Sequence, residues 1–232
     1  MSNPPRPGYL RGVLCEPAPA LTDLLLGLVT LGLGMTLRGR PDVHRYWRLT
    51  YWWSGAAAVA GFFHHGWVTC SETWAGPSWA VISGMVVIAI SYLLAATVIE
   101  VLGPGRGRVF WVLRSASLLA YAVVALSGNA GVGAILLCEG VTMIAILALW
   151  FRAAAQGMPL ARQVCVALLA SGAAAVFRAM PHEWTEVVGL DPISLYHLAQ
   201  IPGFVLLTRA LLRRAPEPGA RRAPYPASDV SA

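Results

Sequence analysis

Apolar residues fall into seven runs separated by short polar segments: Leu24–Leu37, Tyr46–Trp67, Ser78–Leu102, Val109–Leu126, Ala130–Phe151, Leu160–Phe177 and Pro192–Leu212. Such lengths suit a bilayer core, which roughly 17–25 helical residues cross. Strands would leave backbone groups unpaired in lipid, so each run is expected to be a helix. The pattern predicts an all-α membrane protein, a seven-transmembrane-helix bundle over residues 21–213, between a Pro-rich tail (1–20) and a Pro/Ala/Arg-rich tail (214–232) expected to be disordered. Thr22 or Asp23 is expected to cap the first helix. That helix does not look like a cleaved signal, because arginines are denser after it than before it.

Composition supports this picture. The chain is 57% hydrophobic and 12% charged, against about 25% charged in a soluble domain. All 17 basic residues are arginine. Fourteen lie in the tail after run seven, in or beside the loops after runs one, three and five; only Arg6, Arg11 and Arg178 fall on the other side. The positive-inside rule then predicts an outer N-terminus and a cytoplasmic C-terminus, in a cell membrane, the inner one of a bacterium. Arginines gathered in interhelical loops make the +6 net charge a topology signal, so nucleic acid is not an expected partner; the lipid bilayer is. The four cysteines show no CxxC spacing. Cys15 and Cys70 share the outer side, where a disulfide can form.

Topology gathers polar groups. Asp23 starts the first helix, His64 and His65 end the second, and His197 starts the seventh, all toward the outer side. At ~1.5 Å per residue His197 lies roughly 8 Å along its helix. Arg178 and His182 stand at the outer end of the sixth helix and are candidate partners. Adjacent histidines point about 100° apart on a helix. His65 shares a stripe with the small residues Ser54, Ala58 and Gly61 and is expected to be the inward one. Imidazoles with a carboxylate suit zinc, so Asp23, His65 and His197 form a candidate metal site. Asp191 and Gln200 are the accompanying candidate catalytic residues. Asp191 precedes Pro192 and reads equally as a helix cap. Glu139 is either a proton carrier or a neutral acid bonded to a serine or a carbonyl. Arg114 is expected to snorkel to the interface, Arg178 to pair with Asp23 or Asp191, and Pro202 to kink the last helix.

Three segments carry a resemblance: Leu21-Thr-Asp23-Leu-Leu-Leu-Gly27, Gly61-Phe-Phe-His-His65-Gly66 and Asp191-Pro-Ile-Ser-Leu-Tyr-His197-Leu-Ala-Gln200. Together they resemble an uncharacterised family of bacterial seven-helix membrane proteins. More remotely, the layout is similar to the superfamily of alkaline ceramidases and adiponectin-type receptors, which implies a zinc-dependent hydrolase of lipid amides or esters. That pattern has a Ser and a His four apart on helix 2, an Asp nearby and a His-x-x-x-His pair on helix 7. His65 would match the helix 2 ligand and His197 one of the pair. Gly61 stands four before His65, and Ile193 and Ile201 flank His197 at the same spacing. Asp23 would therefore complete a different site. The alternatives are a non-enzymatic sensor or scaffold, in which these groups form a hydrogen-bond network, and proton-coupled transport through Glu139.

Overall fold

The structure, a computed structural model, describes residues 13–127, 132–186 and 188–213; the two tails expected to be disordered lie mostly outside them. Among the described residues eight α-helices follow one another: α1 (Pro17–Thr36), α2 (Arg45–Phe63), α3 (Glu72–Leu102), α4 (Gly107–Leu126), α5 (Val132–Ala155), α6 (Ala161–Ala179), α7 (His182–Glu186) and α8 (Pro192–Leu212). No strand occurs among the described residues. Six of the helices are long and apolar enough to cross a membrane, as in a multi-pass membrane protein. Of the long helices α2 alone falls outside that set: besides Arg45 and Arg48 it is built mostly of Tyr, Trp, Gly and Ala rather than long aliphatic residues.

The expected helix limits shift where prolines sit. α1 starts at Pro17, ahead of the expected boundary at 21, because a proline at the first helical position forgoes a hydrogen bond that has no partner there anyway. Thr22 is thus inside the helix rather than its cap. α3 begins at Glu72 and continues through Pro77. Its 31 residues span roughly 46 Å, longer than the ~30 Å hydrocarbon core. α8 continues as helix through Pro202.

Helices α1 and α2 approach closely along small residues. A Cβ on Gly27 would lie 2.8 Å from the Val59 side chain, and one on Gly55 2.6 Å from Leu31. Close backbone approach of this kind maximises dispersion contacts where lipid offers no hydrophobic drive. α6 packs on α8 in the same way, with Gly203 against Ser171.

A buried apolar cluster joins α2, α3, α5, α6 and α8: Trp47, Tyr51, Leu94, Ile146, Trp150 and Leu211 are among its members. It lies toward the end of the bundle that carries the α1–α2, α3–α4 and α5–α6 loops. Its polar tips are paired. The Trp47 indole donates to Glu100 (3.3 Å), the Trp150 indole to Thr97 (3.0 Å) and the Tyr51 hydroxyl to the Phe204 carbonyl (3.0 Å).

Arg114 does not snorkel. It is buried, and its guanidinium donates to both carboxylate oxygens of Glu139 (3.1 and 3.4 Å), to Thr142 (2.8 Å), to Ser117 (3.2 Å) and to the Val87 carbonyl (3.1 Å). The expectation that Glu139 is a neutral acid bonded to a serine or a carbonyl is corrected likewise: an arginine pairs with it through both oxygens. The reason is geometric. The planar fork of arginine matches a carboxylate, and a charge with that partner at hand has no need to reach the interface. This network ties α4 to α5 and α3. Breaking one partner should leave a buried uncompensated charge, at a cost of about 3–5 kcal/mol. Glu139→Gln and Arg114→Met should each lower the thermal unfolding midpoint in detergent strongly, and the double Arg114→Met/Glu139→Leu variant should recover much of the loss. A double variant no better than the worse single one would contradict a paired network.

Candidate functional site

The site forms where α2 ends. From His64 to Val68 the helix widens into a π turn, closed by the Thr69 N–H donating to the His64 carbonyl (2.9 Å). Such bulges change the angular step between neighbours and recur at functional sites. Both histidines are buried as a result. His64 turns to α3, with Nδ1 3.2 Å from the Ser78 hydroxyl and its ring against Trp79. His65 turns to α1 and α8. It is the imidazole facing the bundle's polar cluster, but His64 is not left outward.

A strap from the N-terminus fixes the π turn. The backbone N–H groups of Cys15 and Glu16 donate to the carbonyls of Gly66 (2.8 Å) and His65 (2.9 Å). These carbonyls lie at a helix end, where intrahelical donors run out. A disulfide joins Cys15 to Cys70, with Cα atoms 5.8 Å apart. The strap places the Glu16 carboxylate within hydrogen-bonding contact of Nδ1 of His65.

Asp23, His65 and His197 come together. The Nε2 atom of His197 lies 3.4 Å from Asp23 Oδ1, and Nε2 of His65 lies 3.9 Å from Asp23 Oδ2. The two rings are 6.1 Å apart between centroids, and all three residues are buried. Hydrogen bonding on the far side of each ring sets its tautomer. The Thr22 hydroxyl donates to the Ala18 and Pro19 carbonyls (2.9 and 3.0 Å), so its oxygen accepts from Nδ1–H of His197 (3.2 Å). Glu16 similarly claims the Nδ1 proton of His65. In neutral imidazoles both Nε2 atoms then carry lone pairs. Three acceptors therefore face one another: two imidazole nitrogens and a carboxylate.

Asp23 occupies space that only glycine leaves. A Cβ on Gly61 would meet the Asp23 carboxylate, with its Cγ at 2.8 Å. Here helix 1 delivers a carboxylate into that volume.

The other sequence candidates stand apart from this centre. Asp191 caps α8: Oδ1 accepts from the N–H groups of Ile193 (2.9 Å) and Ser194 (3.0 Å), and Oδ2 accepts from the Ser194 hydroxyl. Burial alone would raise its pKa, but these hydrogen bonds outweigh it and hold the carboxyl below its usual range. Gln200 lies one turn along α8 from Tyr196. Arg178 is exposed at the end of α6 and forms no ion pair with Asp23 or Asp191. The side chain of His182 lies outside the described residues. Glu16 and Thr22, by contrast, orient the two rings and were not expected to; the nearest signal for Glu16 was its place beside Cys15.

Residues 18–216 match the model of a family of unknown function, DUF6962. No curated protein and no solved structure matches the chain. Nothing in these comparisons links it to the alkaline ceramidase and adiponectin-receptor superfamily.

Three outcomes check this geometry. Gly61→Ser should force Asp23 aside and destabilise the protein by about 1–3 kcal/mol, read as a lowered unfolding midpoint; an unchanged midpoint would contradict the contact. Reduction of Cys15–Cys70 should also lower it, by up to roughly 4 kcal/mol on chain entropy for a 55-residue separation, with no effect of reductant on a Cys15→Ala/Cys70→Ala variant. Asp191→Ala should cost about 1 kcal/mol as a lost cap. The capping contribution of the charged carboxylate is present above its unfolded pKa of ~3.9. It should disappear as pH falls through the lower folded value, so the midpoints of wild type and variant should differ at neutral pH and converge in acid. On these observations the chain belongs to the DUF6962 family of unknown function.

Proposed function

We propose that the protein crosses a bacterial inner membrane seven times, with its N-terminus outside, and holds zinc in the outer half of the bundle on Asp23, His65 and His197. The orientation is supported by the arginine distribution and by the disulfide, which belongs on an oxidising side. α2 supplies the seventh crossing, its small and aromatic residues enclosed between α1 and α3.

The metal reading rests on one observation: two imidazole Nε2 atoms and a carboxylate face a common point while their other sides are hydrogen-bonded. Mutually facing acceptors repel unless a proton or a cation stands among them, and a zinc ion would satisfy all three at once. Zinc bonds of ~2.0–2.1 Å in a tetrahedron give ligand–ligand edges of about 3.3–3.4 Å. The His197–Asp23 separation is 3.4 Å and that of His65–Asp23 is 3.9 Å, so a small rotation of His65 would complete the set. As they stand, no three such side chains among the described residues are disposed to hold an ion outright. Glu16 and Thr22 would serve as the outer hydrogen-bonding partners that orient ligating histidines.

Three protein ligands leave a fourth position open, the arrangement of catalytic zinc. Zinc there would bring the pKa of a bound water to about 7. The reaction this suits is hydrolysis of a lipid amide or ester reaching the site from the outer leaflet. A second reading is favoured by the contacts already made: Glu16–His65 and Thr22–His197 form a hydrogen-bond network without any ion, which would suit a sensor or scaffold.

Metal analysis of the purified protein separates the two. The zinc reading predicts about one zinc per chain, lost in His65→Ala and His197→Ala. Wild-type protein that folds, carries no stoichiometric metal and takes up none on addition of zinc would overturn it and leave the network. Unchanged lipid amides and esters in a deletion strain would remove hydrolysis while leaving the metal site standing.

A further inference from the structure

The strap across the π turn is covalently fastened at a junction of three helices. Cys15 stands two residues before α1, and Cys70 two residues before α3, just after the π turn ends at Val68. One bond thus ties the start of α1, the end of α2 and the start of α3. Cys70 is exposed and Cys15 half-buried, so a reductant in solution can reach the bond. Leu14 is buried beside it, over Gly66, where a Cβ would lie 3.3 Å from the leucine side chain.

The bundle is held together elsewhere. The Gly27 and Gly55 contacts, the apolar cluster and the Arg114–Glu139 network include neither the strap nor the π turn. Cleavage of the bond therefore loosens one end of the molecule and leaves its packed body in place, as local opening does in a fold of uneven stability. What it loosens is specific. Apart from the disulfide and the Leu14 contact, the strap is held by the two backbone bonds to Gly66 and His65 and by the Glu16 carboxylate on His65. Glu16 stands at the N-cap of α1, yet its side chain makes no capping bond there; it is given to the imidazole instead. The strap thus acts on one ring of the buried cluster. His197 takes its orientation from Thr22, inside α1, and His64 from Ser78 on α3.

We infer that the Cys15–Cys70 bond is a thiol–disulfide switch on His65. In the oxidised state the strap seats Glu16 on Nδ1 and leaves the Nε2 lone pair facing Asp23. A dithiol reductant opens the bond by exchange. One of its thiolates attacks a cysteine sulfur, its second thiolate then displaces the mixed disulfide, and it departs as a disulfide while Cys15 and Cys70 are left as thiols. Glu16 moves away with the strap. The proton of a neutral imidazole follows the hydrogen bond that its other nitrogen makes. With Nδ1 released, the proton sits on Nε2 and is donated to Asp23. Three facing acceptors thereby become a hydrogen-bonded pair with one imidazole beside it. The switch acts on His65 itself and does not rest on the metal reading.

Carbethoxylation by diethyl pyrocarbonate tests it, followed histidine by histidine by mass spectrometry of the full chain in detergent. A chelator is present throughout, so that a bound ion does not mask His65. Reduction with dithiothreitol, removed before labelling, should raise the rate at His65 at least about fivefold and leave His64 and His197 within about twofold of their oxidised rates. The Cys15→Ser/Cys70→Ser variant should show the raised rate with or without treatment. Glu16→Ala, which keeps the disulfide, should raise the rate at His65 without reduction. An unchanged His65 rate in the reduced protein would make the bond a brace only and overturn the proposal. An unchanged rate in Glu16→Ala would do the same, because the strap would then not act through the carboxylate. Equal increases at all three histidines, or loss of helical circular dichroism on reduction, would also overturn it, since the whole end or the whole bundle would then be opening rather than one ring being released.

Discussion

A buried carboxylate facing two imidazole lone pairs is unfavourable unless a proton or a cation stands among them. That constraint organises the end of the bundle where α2 ends and α1 and α8 begin. Asp23 on α1, His65 on the π turn and His197 on α8 meet at 3.4–3.9 Å, while Thr22 and Glu16 fix the proton on the far side of each ring. Each contact depends on a separate structural device: a glycine at 61 that leaves room for the carboxylate, a π turn that rotates His65 inward, and a disulfide-linked strap that brings Glu16 across it.

The two ends of the molecule divide the work. Toward the α1–α2, α3–α4 and α5–α6 loops the interior is a continuous apolar cluster with aromatic tips paired to Glu100, Thr97 and the Phe204 carbonyl. Such packing holds the helices without a directional requirement. The polar groups gather at the other end, where helix ends and the strap supply hydrogen-bonding partners. Between the two, Arg114 and Glu139 satisfy one another and join α4 to α5 and α3. Because the arginine occupies both carboxylate oxygens, Glu139 is poorly placed to carry protons.

The helical architecture was legible because apolar runs of bilayer length admit few other structures. Pro192–Leu212 coincides with α8, and the start of α1 was missed only because its first turn is proline and alanine rather than an apolar run. Asp23, His65 and His197 could be grouped from topology alone, since three helix ends on one side must lie at similar depth. Their partners could not. Glu16 reaches His65 only through a π turn and a strap, neither of which leaves a periodic trace. Arg114 looked like an interfacial residue because its distance from the helix end suits snorkelling; its partner is 25 positions away on another helix. Gly61 read as a small residue for helix packing, and its finer role appears only when the Asp23 carboxylate is seen in the same volume.

The spectrum of the cobalt(II)-loaded protein tests most directly whether three ligands converge. Imidazole and carboxylate ligands with one open position should give the intense visible bands of four-coordinate cobalt, and Asp23→Ala should abolish them. A weak octahedral spectrum, or an intense one that persists without Asp23, would contradict a shared centre of Asp23, His65 and His197.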